Sequence, residues 1–432
     1  MSYNGYVVKV KELRQHNNAD RLQVATFFGN EVCVDLSVKL GDIGVYFPTD
    51  GQLSEEFCEK NNLVRKKDEN GNEVGGYMDS KKRNVTTIRL RGEKSDGLYL
   101  PISCLEYTGA LDLKEGDTIT IVNGHEICKK YIPNTTKKND FTKNGNKTRT
   151  KRAPISPLFA EHADTAQLAY NLNEFKCGDE IEITLKMHGT SQRTGYLPVL
   201  KKYKRTIIDR LLGREGTPIY DWGYVSGTRR TVLENFEGGF YGSNEFREKH
   251  SKAFEGKLWK GETAYYEVVG YTGIDSPIMG IVDNKKTKDK NFIKMYGKTT
   301  TFSYGCENGK SDFYVYRMTM TNADGMVVEY TPDFMRYRCE QMGIKCVPLL
   351  WKGIIPKIEN PGEYIKDISE TYYDGLDPIG ITHIREGVVC RIINRPKFTA
   401  YKNKNFLFKV LEGICKIDAT EPDIEEIQEI EE

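Results

Sequence analysis

A lysine at the end of an alternating run is the residue of this sequence best placed to do chemistry. Glu180-Ile181-Glu182-Ile183-Thr184-Leu185 alternates as a half-buried strand does, and it delivers Lys186 to its end, in Lys186-Met187-His188-Gly189-Thr190. An amine so placed is a candidate covalent nucleophile. Gly189 lets the backbone approach a ligand closely, and the hydroxyls of Thr190 and Ser191 can satisfy polar atoms there. Attack needs a free lone pair, whereas an ordinary lysine is protonated at neutral pH, so neighbouring cations or burial must lower its pKa. Lys402 and Lys404 suit that task, because residues two apart on an extended strand share a face. Taken alone, the pentapeptide is better described as a surface lysine before a turn, and the paired lysines as an exposed strand.

Further segments follow in a fixed order: Tyr224-Val225-Ser226-Gly227-Thr228-Arg229-Arg230, Tyr265-Tyr266-Glu267-Val268-Val269-Gly270, Phe313-Tyr314-Val315-Tyr316-Arg317, Glu386-Gly387-Val388-Val389-Cys390-Arg391 and Tyr401-Lys402-Asn403-Lys404. With the lysine segment, this order resembles nucleotidyltransferase motifs I, Ia, III, IIIa, IV and V of the covalent ligase and capping-enzyme superfamily. The sharper resemblance is to ATP-dependent RNA ligases, some of which carry histidine, as His188 here, where DNA ligases carry aspartate. The layout is most similar to the fifth RNA ligase family, with its OB-type module in front of the catalytic domain. The resemblance covers nearly the whole chain.

It implies an enzyme that transfers AMP from ATP to Lys186, passes it to a 5′-phosphate end, and seals that end to a 3′-hydroxyl. Lys402 and Lys404 would contact the ATP α-phosphate and carry charge that builds up in the transition state. Glu386 would hold a hydrated Mg²⁺, or Mn²⁺, near that phosphate, since magnesium keeps several waters and needs few protein ligands. Glu267 would serve the ribose hydroxyls or the metal shell. Tyr316 matches the motif IIIa aromatic, and His188 and Gly189 belong to the nucleotide site with the lysine. Arg229 would bind the AMP or the 5′-phosphate of the RNA, a task suited to a planar multi-donor group. Thr165 and Gln167 lie where related ligases recognise the base, although a helix cap at Asp164 or Thr165 explains that segment too. Arg317 departs from the acidic residue often found beside the aromatic. The expected partners are RNA ends or a nicked RNA-containing duplex.

DNA ligases and capping enzymes fit the same motifs, but they usually place an OB domain and a basic motif VI after motif V. Only about thirty residues follow Lys404 here, and they end acidic. A non-catalytic OB-type nucleic-acid-binding protein is the rival from another class, suggested by His16-Asn17-Asn18-Ala19-Asp20-Arg21-Leu22, which resembles the opening of such modules.

The elements that must position these residues divide the chain. At 432 residues it is too long for one ordinary core. Residues 1–124 read as short strands with Gly41-Asp42 and Gly116-Asp117 turns, which predicts an OB-like β-barrel. Residues 125–155 read as a basic linker. Residues 156–418 mix strands and helices without regular alternation, predicting an α+β domain on antiparallel sheets; the resemblance makes it an adenylyltransferase domain, ATP-grasp-like. Within it, Lys201–Leu212 reads as a basic helix. An acidic tail, 419–432, closes the chain. Net charge is only +1, so nucleic-acid contact would be local. Ten cysteines without a Cys-x-x-Cys pair argue against zinc or a disulfide framework. Neither a signal peptide nor a membrane span is expected, which predicts a soluble cytoplasmic protein of a reducing compartment.

Overall fold

The computed structural model describes residues 3–131 and 154–412, apart from 18, 50, 68–72, 77, 92, 164, 208, 210–215, 234–235, 237–240, 242–243 and 288–289. Most of the expected linker and the acidic tail therefore lie outside the described residues, as does Asp164. The described chain divides into a front and a back unit.

In the front unit, β1 (Gly5–Lys9), β5 (Ile43–Phe47), β7 (Leu98–Pro101) and β8 (Thr118–Ile119) form an antiparallel sheet in the order β7-β5-β1-β8. A second antiparallel sheet runs β2 (Leu13–Gln15), β3 (Leu22–Phe27), β4 (Asn30–Asp35). Val7, Val45, Phe47, Leu53 and Phe57 share a core of this unit, with the first of the two sheets. Gly44 permits the closest pairing, because a Cβ there would sit 2.4 Å from the Leu100 carbonyl oxygen. The expected linker begins later than residue 125: His125–Glu126 pairs with Ile121–Val122, and β9 (Cys128–Lys130) pairs with β6 (Gly51–Leu53).

One local device recurs. In Lys39-Leu40-Gly41-Asp42, Lys114-Glu115-Gly116-Asp117 and Lys176-Cys177-Gly178-Asp179, the aspartate carboxylate accepts from the lysine N–H at 2.7–2.8 Å. Each glycine takes positive φ, at 94°, 97° and 87°. A side chain would strain that backbone, so the turn selects glycine.

The back unit holds two sheets. The first has the order β10 (Ala166–Gln167), β21 (Thr399–Lys404), β20 (Gly387–Ile392), β11 (Glu180–Lys186), β19 (Leu349–Ile354). Only the β10–β21 pair is parallel. The second has seven strands. Six follow the order β14 (Val232–Leu233), β13 (Thr217–Gly227), β12 (Thr190–Lys204), β15 (Glu262–Gly273), β17 (Ser311–Thr321), β18 (Val327–Glu329), and β16 (Ser276–Pro277) pairs with β15. The architecture is thus mixed α/β on mostly antiparallel sheets. On the outer face of the first sheet Ile181, Ile183, Val388 and Cys390 pack with Ile365 of α4 (Pro361–Tyr373). Leu185, Met187, Tyr266 and Val268 join the larger core, as do Met335 of α3 (Pro332–Met342) and Phe408 of α5 (Phe406–Glu412).

The helix expected at 201–212 is corrected at its start. Lys202–Lys204 pair with Thr217–Ile219 as the far end of β12. Cross-strand pairing in a long hairpin overrides the local helical pattern. Among the described residues no helix is long and apolar enough to cross a membrane.

Candidate functional site

Strand parity builds the site. With Ile181 and Ile183 committed to the outer core, Glu182, Thr184 and Lys186 emerge on the opposite face and line a pocket of about 100 Å³. Their register partners on β20 are Arg391, Val389 and Gly387, of which Arg391 and Val389 also line it. Thr165, Arg229, Glu267 and Tyr316 complete the set of expected residues found there. His188, Gly189, Gln167, Glu386, Lys402 and Lys404 are not among the lining residues.

Behind the lysine lies a buried charge cluster. Lys186 Nζ is 2.6 Å and Lys404 Nζ 3.0 Å from the same oxygen, Glu386 Oε1, and the glutamate has no exposed surface. Lys402 and Lys404 do share a face, for Asn403 between them turns to the other side and donates to Ser369 Oγ of α4 at 2.9 Å. Lys402 is buried and stands opposite Gln167 and Val389 in register. Among the described residues no hydrogen bond of good direction as well as distance reaches either Glu386 oxygen. A buried carboxylate held only by ion contacts is under-satisfied, and a divalent cation is a fitting further partner. No cluster of three or more His, Cys, Asp or Glu stands ready to hold a metal among the described residues, so such an ion would keep most of its ligands as water or substrate oxygens.

Two glycines make the approach possible. A Cβ on Gly189 would lie 2.3 Å from the Val268 carbonyl oxygen, and one on Gly387, at φ 152°, would lie 2.2 Å from that of Asn403. Side chains there would push apart backbone segments that pack around Lys186.

His188 occupies a different place from the one expected of a nucleotide contact. It is buried, with Phe302 and Phe408 rings edge-on at 4.7 and 4.8 Å between centroids. Its Nε2 lies 3.2 Å from Glu412 Oε1 and its Nδ1 4.0 Å from Glu386 Oε2. Its backbone N–H donates to Tyr304 Oη at 2.7 Å. Burial, then the charge of Glu386, pushes the Tyr304 phenol well above its ordinary pKa, so it remains a neutral hydroxyl. Glu412 also contacts Lys404 at 3.4 Å. Asn405 seats this arrangement by accepting from the Leu407 and Phe408 amides at the start of α5.

Elsewhere in the pocket wall, the Tyr316 hydroxyl bonds Ser191 Oγ at 2.8 Å, and burial raises its pKa. Arg317, the departure from the acidic pattern, is pinned by Glu329 and lies over the rings of Tyr265 and Phe398, at 4.5 and 4.8 Å. Glu182 is buried and bonded through both oxygens to Arg336. Sequence reasoning did not single out Glu182, His162, Arg391, Tyr304 or Glu412. Parity with Lys186 and Val389 could have found the first and third; nothing local marks Tyr304 or Glu412.

No family model matches the chain, and no curated protein sequence matches it. Solved structures do. The chain is similar to Naegleria gruberi RNA ligase with pyrophosphate, at 15% identity and a TM-score of 0.54, covering 94% of this chain and 97% of that one. It is similar to a variant of that ligase with ATP and Mn, at 17% and 0.53 over 95% and 99%, and to another with AMP and Mn, at 17% and 0.51 over 94% and 98%. At these identities the likeness is one of fold, and the fold this chain shares is that of an RNA ligase.

Proposed function

We propose that the chain is an ATP-dependent RNA ligase working through a lysyl-AMP intermediate. The observation that carries this reading is Lys186, set at a strand end beside a pocket, with Glu386 and Lys404 in direct ion contact behind it. The neighbouring ligase structures with ATP or AMP and Mn support it.

In the first step the Lys186 lone pair forms an N–P bond to the ATP α-phosphorus, the P–O bond to pyrophosphate breaks, and the leaving group takes that electron pair; the amine proton goes to solvent. An ammonium in contact with Glu386 has no lone pair to offer, so the carboxylate must first be engaged elsewhere. Glu386, with Glu267, would hold Mg²⁺ or Mn²⁺, which supplies charge stabilisation at the phosphate oxygens. Lys402 and Lys404 then face the developing charge. Tyr316 gives the base a stacking surface, Arg229 binds phosphate, and Thr165 and Gln167 lie near the base. Gly189 brings backbone close, and His188 supports the cluster from beneath. The 5′-phosphate of RNA next accepts AMP from Lys186, and a 3′-hydroxyl finally attacks it and expels AMP.

The back unit is read as the adenylyltransferase domain. The short antiparallel strands of the front unit support an OB-like module of the kind found in the fifth RNA ligase family, extended here through Lys130. A reducing compartment accords with the nine free cysteines among the described residues.

The test uses α-³²P-ATP with magnesium. The wild type should become covalently labelled and Lys186→Ala should not. The adenylylated enzyme should then seal nicked duplexes ending in a 3′ ribose faster than those ending in deoxyribose, because a site built to bond the 2′-hydroxyl leaves polar groups unpaired without it. Label on Lys186→Ala defeats the nucleophile assignment, and equal sealing rates defeat the RNA assignment.

A further inference from the structure

Of the polar groups lining the pocket, one is held in a single protonation state with its remaining donor unused among the described residues. Arg317 Nη1 lies 3.4 Å from His162 Nδ1 in a directed hydrogen bond. A guanidinium can only donate. Nδ1 must therefore be the acceptor, the imidazole must be neutral, and the ring's one proton must sit on Nε2. No group among the described residues bonds Nε2, and His162 lines the pocket and is only partly buried. Burial, then the charges of Arg229, Arg317 and Arg193, drives the His162 pKa well below its ordinary value, in agreement with the neutral tautomer.

The ring is also firmly placed. Its centroid is 5.1 Å from that of Tyr316, at 65°. The segment before it is tied down by Arg193 and Tyr265, which both donate to the Ala160 carbonyl oxygen, at 2.7 and 3.2 Å. Its own backbone N–H donates to the Arg229 carbonyl oxygen at 3.2 Å.

We propose that His162 is a specificity residue for the nucleobase, donating from Nε2–H to an unprotonated ring nitrogen of adenine. The inference rests on the ligase reading for the identity of the ligand. Its chemistry is that of a site with a fixed donor that a bound ligand covers: a ligand lacking the matching acceptor leaves that donor desolvated and unpaired. Replacing the matching nitrogen of adenine by C–H should therefore weaken binding by roughly tenfold to a hundredfold, while the same replacement at the other ring positions should not.

The experiment is a cycle of protein and ligand changes. Equilibrium binding of ATP and of 1-deaza-, 3-deaza- and 7-deaza-ATP is measured on the full chain, for the wild type, His162→Ala and His162→Gln. One analogue should be discriminated by the wild type, the discrimination should vanish in His162→Ala, and His162→Gln, which keeps an N–H donor, should restore part of it. Imidazole ¹⁵N shifts should report the Nε2–H tautomer across pH 6–8. Equal weakening of all four ligands in His162→Ala would make the residue merely structural and overturn the inference. So would a wild type indifferent to all three analogues, or a histidine that is Nδ1-protonated. ATP that binds with this discrimination but never labels Lys186 would instead overturn the ligase reading and leave the assignment of His162 intact.

Discussion

Two glutamates of the back unit are equally buried and differently used. Glu262 receives Arg338 through both oxygens at 2.8 Å, the Tyr330 hydroxyl at 3.0 Å and the Trp259 amide at 2.7 Å. Arg338 is itself stacked 3.7 Å from the centre of the Trp259 ring. Every lone pair there has a rigid, directed partner, which is how a buried ion pair is made tolerable. Glu386 has no exposed surface either, but it meets two flexible lysines crowded on one oxygen and lacks directed hydrogen bonds among the described residues. Saturation marks a carboxylate that holds the fold. Under-saturation marks one that can exchange partners, as the role proposed for Glu386 requires.

The largest effect should come from breaking the saturated pair. Arg338→Ala strands a buried carboxylate and should cost about 3–5 kcal/mol of stability in urea unfolding; a loss under about 1 kcal/mol would erase the contrast. Glu386→Gln should do the reverse, leaving the unfolding midpoint nearly unchanged while slowing single-turnover adenylylation roughly a hundredfold or more, the scale of losing one charge-stabilising group. A variant that unfolds readily yet keeps its rate would exchange the roles of the two residues.

A smaller effect tests the ring beneath the lysines. His188→Asp would place a third carboxylate beside Glu386 and Glu412, so it should lose activity, and adding Glu412→Gln should recover part of it. A coupling of about 1–3 kcal/mol between the two sites is expected from the double-mutant cycle; strict additivity would show that the two side chains do not act together.

The smallest effect concerns pH. Burial holds His250 down at about 4 in the folded state. Because the folded form binds fewer protons than the unfolded one, the stability this residue contributes is complete above about pH 6.5 and lost as pH falls towards 4. Between pH 7 and 5 that amounts to about 1–2 kcal/mol. His250→Gln should flatten that part of the stability profile; an unchanged slope would assign it to other groups.

Much of the site was legible because parity and glycine placement are local. The alternation ending at Lys186 fixed which side chains share its face, the spacing of Lys402 and Lys404 put both on one side of β21, and the Gly-Asp pairs announced their turns. What stayed hidden depends on distant packing. Glu412 reaches His188 across more than two hundred residues of sequence, and Tyr304 finds its amide across 116. The helix expected over 201–212 gives way to strand at its start for the same reason, since partner strand β13 outweighs local propensity there. His162 stood in a segment singled out for base recognition, but its tautomer depends on Arg317, 155 residues away.

Asn405 turns the cluster into a mechanism in the engineering sense. Its backbone N–H holds the Glu386 carbonyl oxygen at 2.8 Å, its side-chain oxygen caps α5, and its amide nitrogen reaches Tyr373 and Asp374 at the end of α4. Glu386 on one side and Glu412 at the far end of α5 are thereby clamped to one pivot. A displacement of the backbone at Glu386 would therefore strain the start of α5, while the Glu386 carboxylate can still turn about its own side-chain bonds, and slow exchange of the Phe408 amide proton would record how seldom that anchor lets go.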